Sequence, residues 1–222
     1  MHDMAAFDRA YIPARTLASQ GQATSALKAL RLLTDRWGAF RRRYGHDLEV
    51  DAASIQALAQ VDAHIADANN AANTGQWPAV TDHLTSVGQI LLTVRRSHQI
   101  AYYLDGITLL HSSLYAMTVV ARDKSAETLS VDDIISITSH LPVAISQCED
   151  LQQIPFDEEL FSFTPAKTQT LRDGLTREAN ALRELRQALD LRDRGLLLLR
   201  IAAAEATFAG LPTLFGDFDR VK

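Results

Sequence analysis

The residues best suited to bind a ligand lie in one apolar stretch of the chain. His98, Tyr102 and Asp105 follow one another at spacings of four and three residues, which places them on one face of a helix. His111 and Tyr115 follow in the same stretch. Burial of an unpaired carboxylate is costly, so Asp105 indicates a polar pocket that takes a metal ion, haem or a small ligand.

The same residues also have a structural interpretation. His98 and Asp105 are two helical turns apart, about 10 Å by helical rise, so they cannot ligate one metal ion unless another helix contributes. Asp105 is near the start of its helix, where a carboxylate interacts favourably with the helix dipole. Two interpretations therefore stay open. Either His98, Asp105 and His111 are metal ligands with Tyr102 and Tyr115 in the same ligand site, or these side chains only stabilise the fold.

The other histidines are weaker candidates. His64 and Asp67 are three residues apart and could chelate an ion, but exposed helices carry such pairs routinely. His83 and His140 lie beside apolar stripes, where boundary positions are common. No ExxH or HExxH motif occurs, so the patterns of di-iron bundles and zinc proteases are absent. The cofactor is therefore unknown, with a metal ion as the candidate.

Two runs of arginine end two of the predicted helices. They consist of Arg41, Arg42 and Arg43, and of Arg95 and Arg96. Basic side chains at these places interact favourably with the carbonyl end of a helix. The alternative is that both helix ends lie side by side and form a patch for an anion or an acidic partner.

Signatures of enzymes are missing from the sequence. It has no glycine-rich phosphate loop, no GxSxG elbow and no dinucleotide-binding fingerprint. Cys148 is the only cysteine and lies on an apolar stripe, which is typical of a structural cysteine. These observations favour a protein that is not an enzyme.

Helices position these residues almost throughout the chain. Apolar residues recur at helical spacing without the alternation typical of strands, which predicts an all-α bundle of about eight helices in a single domain, 1–222. The first of them is expected to be short and to follow Pro13. Ser130 and Asp133 predict a capping box. The segments 100–122 and 196–210 are apolar on nearly every side, so we expect neighbours all round them.

A faint internal repeat accompanies the helices. When Gly21, Gly75, Asp132 and Arg192 are aligned, apolar residues match nine, twelve, sixteen and nineteen positions later. Any amphipathic helices align on their stripes, so the match alone does not establish a repeat. A genuine repeat predicts four helical hairpins or a duplicated four-helix unit, with halves 14–122 and 130–218.

Composition limits the classes of partner. Of the 222 residues, 47% are hydrophobic and 22% are charged, which is enough to bury a core. The formal net charge of -5 gives no general attraction to nucleic acid or to an anionic membrane surface. The most apolar segment, 100–121, contains Asp105 and His111, so a buried helix is expected and not a membrane span. Nothing indicates the oligomeric state.

Two parts of the sequence are similar to known proteins in a loose way. The opening, Ala6 to Asp8 with Tyr11 to Ala14 and Leu17, resembles the mature start of small exported helical proteins of Gram-negative bacteria with no known role. Gly75, the run Leu84 to Arg96, Tyr103 to Asp105 and His111 are similar in the same way. The resemblance covers about half of the chain and implies no activity. It implies a bacterial protein and favours the periplasm, with a signal peptide removed, over the cytoplasm.

The expected function is binding without catalysis. The hairpin-like repeat and the missing catalytic motifs favour a protein-interaction scaffold, which predicts an exposed groove or apolar patch. The alternative is a metal- or haem-binding bundle, in which His98, Asp105 and His111 converge with a histidine from another helix. The partner is accordingly a protein or a small ligand.

Overall fold

The fold is all-α, as the apolar periodicity predicts. The structure, a computed structural model, describes residues 1–48 and 51–221, and for 45–48 only the backbone. This part of the chain is helical without strands, and eight of its helices have 15 residues or more. The helices are α1 (His2–Ser19), α2 (Ala23–Leu48), α3 (Ala52–Asn73), α4 (Trp77–Ser97), α5 (Tyr103–Ala121), α6 (Val131–Gln153), α7 (Glu158–Phe161), α8 (Pro165–Asp190), α9 (Arg194–Phe208), α10 (Gly210–Thr213) and a final 3₁₀-helix (Phe218–Val221).

Short turns of one kind join three pairs of helices. Gly21 between α1 and α2, Gly75 between α3 and α4, and Arg192 between α8 and α9 all have positive φ. Each donates its backbone N–H to the carbonyl three residues earlier, at 3.0, 3.1 and 3.0 Å respectively. Such turns end one helix and return the chain at once, so consecutive helices pack as hairpins.

The chain divides into two compact units. The first comprises Met1–Ala101 and Phe215–Lys222, and the second comprises Tyr102–Leu214. The division falls before α5, whereas the predicted halves 14–122 and 130–218 place α5 with the first half. The single domain over 1–222 stays a prediction.

The first unit is built from the hairpins α1–α2 and α3–α4, with α1 also packed against α4. Its core includes Leu30, Leu33, Val61, Leu84 and Val87, all at most 1% exposed. Tyr11 of α1 donates its hydroxyl to the carbonyl of Leu84 at 2.9 Å. The two helices approach closely here because Gly88 has no side chain: a Cβ on it would lie 2.5 Å from the Tyr11 oxygen.

The second unit is built from α5–α6 and α8–α9, with α6 packed on α8 and α5 on α9. Two glycines allow close packing, since a Cβ on Gly106 would lie 2.8 Å from Leu151 and one on Gly174 would lie 2.5 Å from Leu211. The predicted capping box at the start of α6 is confirmed. Ser130 accepts from the backbone of Asp133 at 3.1 Å, and Asp133 accepts from the backbone of Ser130 at 2.8 Å.

The aligned positions of the internal repeat lie at equivalent places in the four hairpins. Each starting residue lies within two residues of the beginning of the second helix of a hairpin: Gly21, Gly75 and Arg192 precede α2, α4 and α9, and Asp132 is the second residue of α6. The residues twelve positions later are all 0% exposed: Leu33, Val87, Ala144 and Ala204. A chance match of amphipathic stripes gives no reason for this shared starting point, so the alignment follows the hairpins.

Both of the most apolar helices have an exposed side, so neither is surrounded as predicted. In α5, Tyr115 and Val119 are 49% and 45% exposed. In α9 the buried residues form one stripe (Leu197, Ile201, Ala204 and Phe208), and Leu199 is 62% exposed. The prediction that 196–210 is surrounded on all sides was therefore wrong.

Two stretches, Tyr103–Ala121 and Arg194–Thr213, are long and apolar enough to cross a membrane by length and composition, and 39% and 28% of their most apolar windows are buried in the structure. The expected absence of a membrane span stays a prediction.

Candidate functional site

His98 lies in the first unit and links the ends of a hairpin. It caps the C-terminus of α4, and its Nε2 lies 2.8 Å from the hydroxyl of Ser54 and 3.5 Å from a carboxylate oxygen of Asp51. Asp51 in turn caps α3 by accepting from the backbone of Ser54. That backbone hydrogen bond, assisted by the nearby His98, lowers the pKa of the Asp51 carboxyl. His98 thus has a structural role at this place.

The other residues of the predicted ligand site lie on α5 of the second unit. Tyr102 caps the helix and Asp105, in its first turn, is buried. His111 stacks on Phe208, with ring centroids 5.4 Å apart and ring planes within 5° of parallel. Tyr115 is exposed. The ligand and metal roles of His98, Tyr102, Asp105, His111 and Tyr115 remain predictions, and each described contact here stabilises helix ends or packing.

The arginines of the predicted anion patch have different environments within the first unit. Arg41 forms an ion pair with Asp62 at 3.4 Å, and Arg43 forms one with Asp3 at 3.1 Å. Arg95 is only 8% exposed, so little of it is available to a partner. The exposed members are Arg42, Arg43 and Arg96, of which Arg43 is held in its ion pair.

A groove opens between α6, α8 and α9 in the second unit. It has a volume of about 630 Å³, within the range of ligand-binding clefts. Its floor includes Ile134, Leu141, Leu189 and Leu197. Val131 opens the groove at the start of α6 and is 63% exposed. The groove therefore presents apolar surface that the helices of this unit leave uncovered.

The rim of the groove is basic. Arg186, Arg192 and Arg194 line it, and none has an ion-pair partner among the described residues. Two acidic residues also line it. One of these, Asp193, accepts a hydrogen bond at 2.9 Å from a backbone N–H of α9 and so caps that helix. The other is Asp190. Three guanidinium groups against two carboxylates leave an excess of one positive charge at the rim, which favours an anionic ligand.

Arg192 has an unfavourable backbone conformation. In the equivalent turns the residue with positive φ is glycine, at φ 67° for Gly21 and 73° for Gly75. Arg192 has φ 57°, although a left-handed conformation costs a residue with a side chain about 1–2 kcal/mol. Backbone strain of this kind is often kept where the side chain has a function.

A second cavity of about 400 Å³ lies beside the connection between α6 and α8. Tyr103, Phe156, Thr168 and Arg172 line it. The buried Thr168 hydroxyl finds no hydrogen-bond partner among the described residues. Arg172 is the one charged residue that lines this cavity, so it offers fewer charged groups to a ligand than the groove does.

A carboxyl group lies in the core of the second unit. Glu178 of α8 is 0% exposed and accepts a hydrogen bond from the hydroxyl of Thr207 on α9. Its other oxygen, Oε1, has no partner in the part of the chain that is described. Burial raises the pKa of Glu178 to about 7, with the Thr207 hydrogen bond acting in the opposite direction. Sequence reasoning missed this residue, because an exposed-looking helical Glu carries no signal of burial.

The only cysteine is structural, as its apolar stripe predicts. Cys148 is 1% exposed, and its Sγ lies 3.6 Å from the carbonyl of Leu175. Burial raises the pKa of the thiol to about 12. The thiolate needed for nucleophilic catalysis is therefore scarce at neutral pH.

Comparisons with family models, with curated proteins and with solved structures find no significant match to this chain. The sequence analysis placed Arg192 only as a repeat marker and did not identify Arg186 or Arg194. Their spacing about a helix end was visible in the sequence, but the groove beside them depends on how α6 packs against α8.

Proposed function

We propose that the protein binds a partner protein by accepting an acidic amphipathic helix of that partner in the groove between α6, α8 and α9. The observation that carries the proposal is Arg192, a strained arginine on the groove rim where equivalent turns have glycine. Gln99, Asp123 and Ser162 also have positive φ, so the strain alone does not indicate a site. At Arg192 the strain coincides with a position that lines the groove, which favours a use for the guanidinium group.

The shape and lining of the groove support a helical occupant. The α6 residues that line it include Val131, Ile134, Thr138 and Leu141, spaced along one helical face. A helix that binds in such a groove inserts apolar side chains at i, i+3, i+4 and i+7. The exposed apolar residues Ile135 on α6 and Leu191 at the end of α8, 61% and 70% exposed, extend the apolar surface near the groove.

The charge of the rim supports an acidic occupant. Three unpaired guanidinium groups offer bidentate hydrogen bonds to carboxylates along the polar face of a bound helix. The chain as a whole has a net charge of -5, so it repels acidic peptides at long range. Binding of an acidic helix therefore requires the local basic rim.

Two synthetic peptides test the proposal. Both have about 15 residues with leucine at helix-in-groove spacing, and their polar faces are all glutamate in one and all lysine in the other. Fluorescence anisotropy with the full chain should show the glutamate peptide binding about tenfold or more tightly. R186Q should weaken this binding several-fold, and R36Q, which removes an exposed arginine of α2, should leave it unchanged.

Equal or tighter binding of the lysine peptide would contradict the proposal, because the net charge alone favours that peptide. The proposal is also contradicted if R186Q binds the glutamate peptide as tightly as R36Q does. A third ligand, dodecanoate, distinguishes a lipid-like occupant. Saturable binding of dodecanoate without binding of the glutamate peptide would assign the groove to small anionic amphiphiles instead.

A further inference from the structure

Two histidines face each other across the α3–α4 hairpin of the first unit. The Nδ1 atoms of His64 on α3 and His83 on α4 are 3.2 Å apart, and the ring centroids are 5.5 Å apart. Both residues are half-buried. Neither histidine lines the groove or the cavity beside the α6–α8 connection, so the pair is independent of the proposed function.

A carboxylate completes the cluster. Asp67 follows His64 by nearly one turn of α3, and its carboxylate lies with the two imidazoles so that one ligand atom of each residue is within 4.8 Å of the others. In the described residues this is the one group of three histidine, cysteine, aspartate or glutamate side chains with that geometry. Two imidazoles and a carboxylate are a ligand set that zinc and its neighbours in the first transition row accept.

The distance between the nitrogens fits a shared metal ion. Zinc–nitrogen bonds are about 2.0–2.1 Å, so two nitrogens on a tetrahedral ion lie about 3.3–3.4 Å apart. The observed 3.2 Å is close to that distance, so His64 and His83 need little movement to bind the same ion. Asp67 is exposed and can rotate its carboxylate toward the ion.

The backbone around the cluster is held by the core. Val61 and Ile65 flank His64 on α3, and Leu84 follows His83 on α4, all at most 3% exposed. Ligands on packed helices hold their positions better than ligands on loops. The hairpin thus positions the two nitrogens before any ion binds.

We propose that the α3–α4 hairpin binds one divalent ion of the zinc class through Nδ1 of His64, Nδ1 of His83 and the Asp67 carboxylate, with the fourth position open to solvent. A simple hydrogen bond between the imidazoles is the competing explanation of the 3.2 Å distance. That hydrogen bond needs no carboxylate, whereas the metal site does. The role of Asp67 therefore distinguishes the two.

Titration calorimetry of the untagged full chain with ZnCl₂ tests the site. We expect one saturable site, with affinity reduced about 100-fold or more in H64Q and in H83Q and about tenfold in D67N. H140Q is the matched control, because His140 is a half-buried histidine on α6 that lies outside the cluster. MgCl₂ should not compete, because magnesium prefers six oxygen ligands.

A second readout follows the coordination itself. Cobalt(II) should replace zinc and give the visible absorption of a tetrahedral site in the unaltered chain and in H140Q, and not in H64Q or H83Q. Circular dichroism confirms that each variant keeps its helices. Unchanged zinc affinity in H64Q and H83Q, no saturable binding by the unaltered chain, or an unchanged affinity in D67N would each overturn the three-ligand site.

Discussion

Arg192 shows how a single residue can combine strain with charge. R192G should raise the free energy of unfolding by roughly 1 kcal/mol, because glycine adopts positive φ without steric cost. The same substitution should weaken binding of the glutamate peptide several-fold, since it removes a rim charge. Urea unfolding and anisotropy on one preparation measure both effects.

Gln99 provides the matched control for Arg192. It has φ 55°, belongs to the first unit and is not one of the residues that line the groove. Q99G should stabilise the chain to a similar extent and leave peptide binding unchanged. Loss of binding in Q99G would show that stabilisation itself, and not the missing guanidinium, lowers affinity.

Glu178 should make stability depend on pH. Its pKa is about 7 in the folded chain, against 4.5 for an ordinary glutamate, which we take for the unfolded chain. The folded state therefore holds a proton that the unfolded chain has lost, and the free energy of unfolding falls as pH rises from about 4.5 to about 7. The whole decrease is roughly 3 kcal/mol.

Substitution separates this residue from the other titrating groups. E178Q should flatten the pH dependence of urea unfolding between pH 4.5 and 7 and be more stable than the unaltered chain at pH 8. E184Q is the control, because Glu184 pairs with Arg200 at 2.7 Å and is half-exposed. If the free energy of unfolding falls with pH as steeply in E178Q as in E184Q, Glu178 does not cause the decrease. That result would show that Glu178 is already charged in the folded core at these pH values.

Only part of the residue-level chemistry could be predicted from the sequence. His64 and Asp67 were recognised as a chelating pair because both lie on one helix. His83 was separated from them, since its distance from His64 depends on the register of α3 against α4, which periodicity does not give. His98 is a different case, because its contacts with Ser54 and Asp51 link two helix ends, which its spacing in the sequence did not indicate. Its ligand role stays a prediction.

At the scale of helices, glycines determine how closely neighbours approach. G88A should cost about 1–3 kcal/mol, because its Cβ would displace the Tyr11 hydroxyl from its position 2.9 Å from the Leu84 carbonyl. Adding Y11F should recover part of the loss by removing the oxygen that clashes. Thermal unfolding of the single and double variants forms the cycle that measures this coupling.

Gly38 is a glycine of the same first unit with space around it. Its Cβ would meet only an Arg42 nitrogen, at 3.4 Å. G38A should therefore stabilise α2 by about 0.5–1 kcal/mol, because alanine favours helices more than glycine does. A destabilised G38A, or a G88A as stable as the unaltered chain, would contradict this account of the two positions.

Helix type was predictable, and helix ends and environments were less so. The expected short helix after Pro13 is instead α1, which starts at His2 and has Pro13 inside it. Proline is usually a helix boundary, but here packing overrides it: Ala10, Ala14 and Leu17 are all at most 7% exposed around it. The environment of α9 was mispredicted for a related reason, since apolar composition on every face does not show which faces have neighbours.

At the scale of the whole chain, the sequence predicts helix content and hairpins but not where the two units divide. The aligned positions mark the second helix of each hairpin, so the alignment leaves the first helices unassigned. α5 was placed with the helices before it for that reason. The C-terminal segment, 215–221, joins the first unit although it follows the second in the chain, and no periodicity signals such a return.

That return predicts unequal effects of truncation on the two units. Phe215 and Val221 are 2% exposed, and the Asp217 N–H donates to the carbonyl of Arg9 at 2.9 Å within the first unit. A chain ending at Leu214 should therefore show faster amide exchange in α1 and α2, and unchanged protection in α6 and α8, because the second unit comprises only Tyr102–Leu214. Hydrogen exchange read by mass spectrometry measures both units in one sample. Equal loss of protection in the two units would mean that they unfold as one cooperative domain, which is the single domain that the sequence predicts.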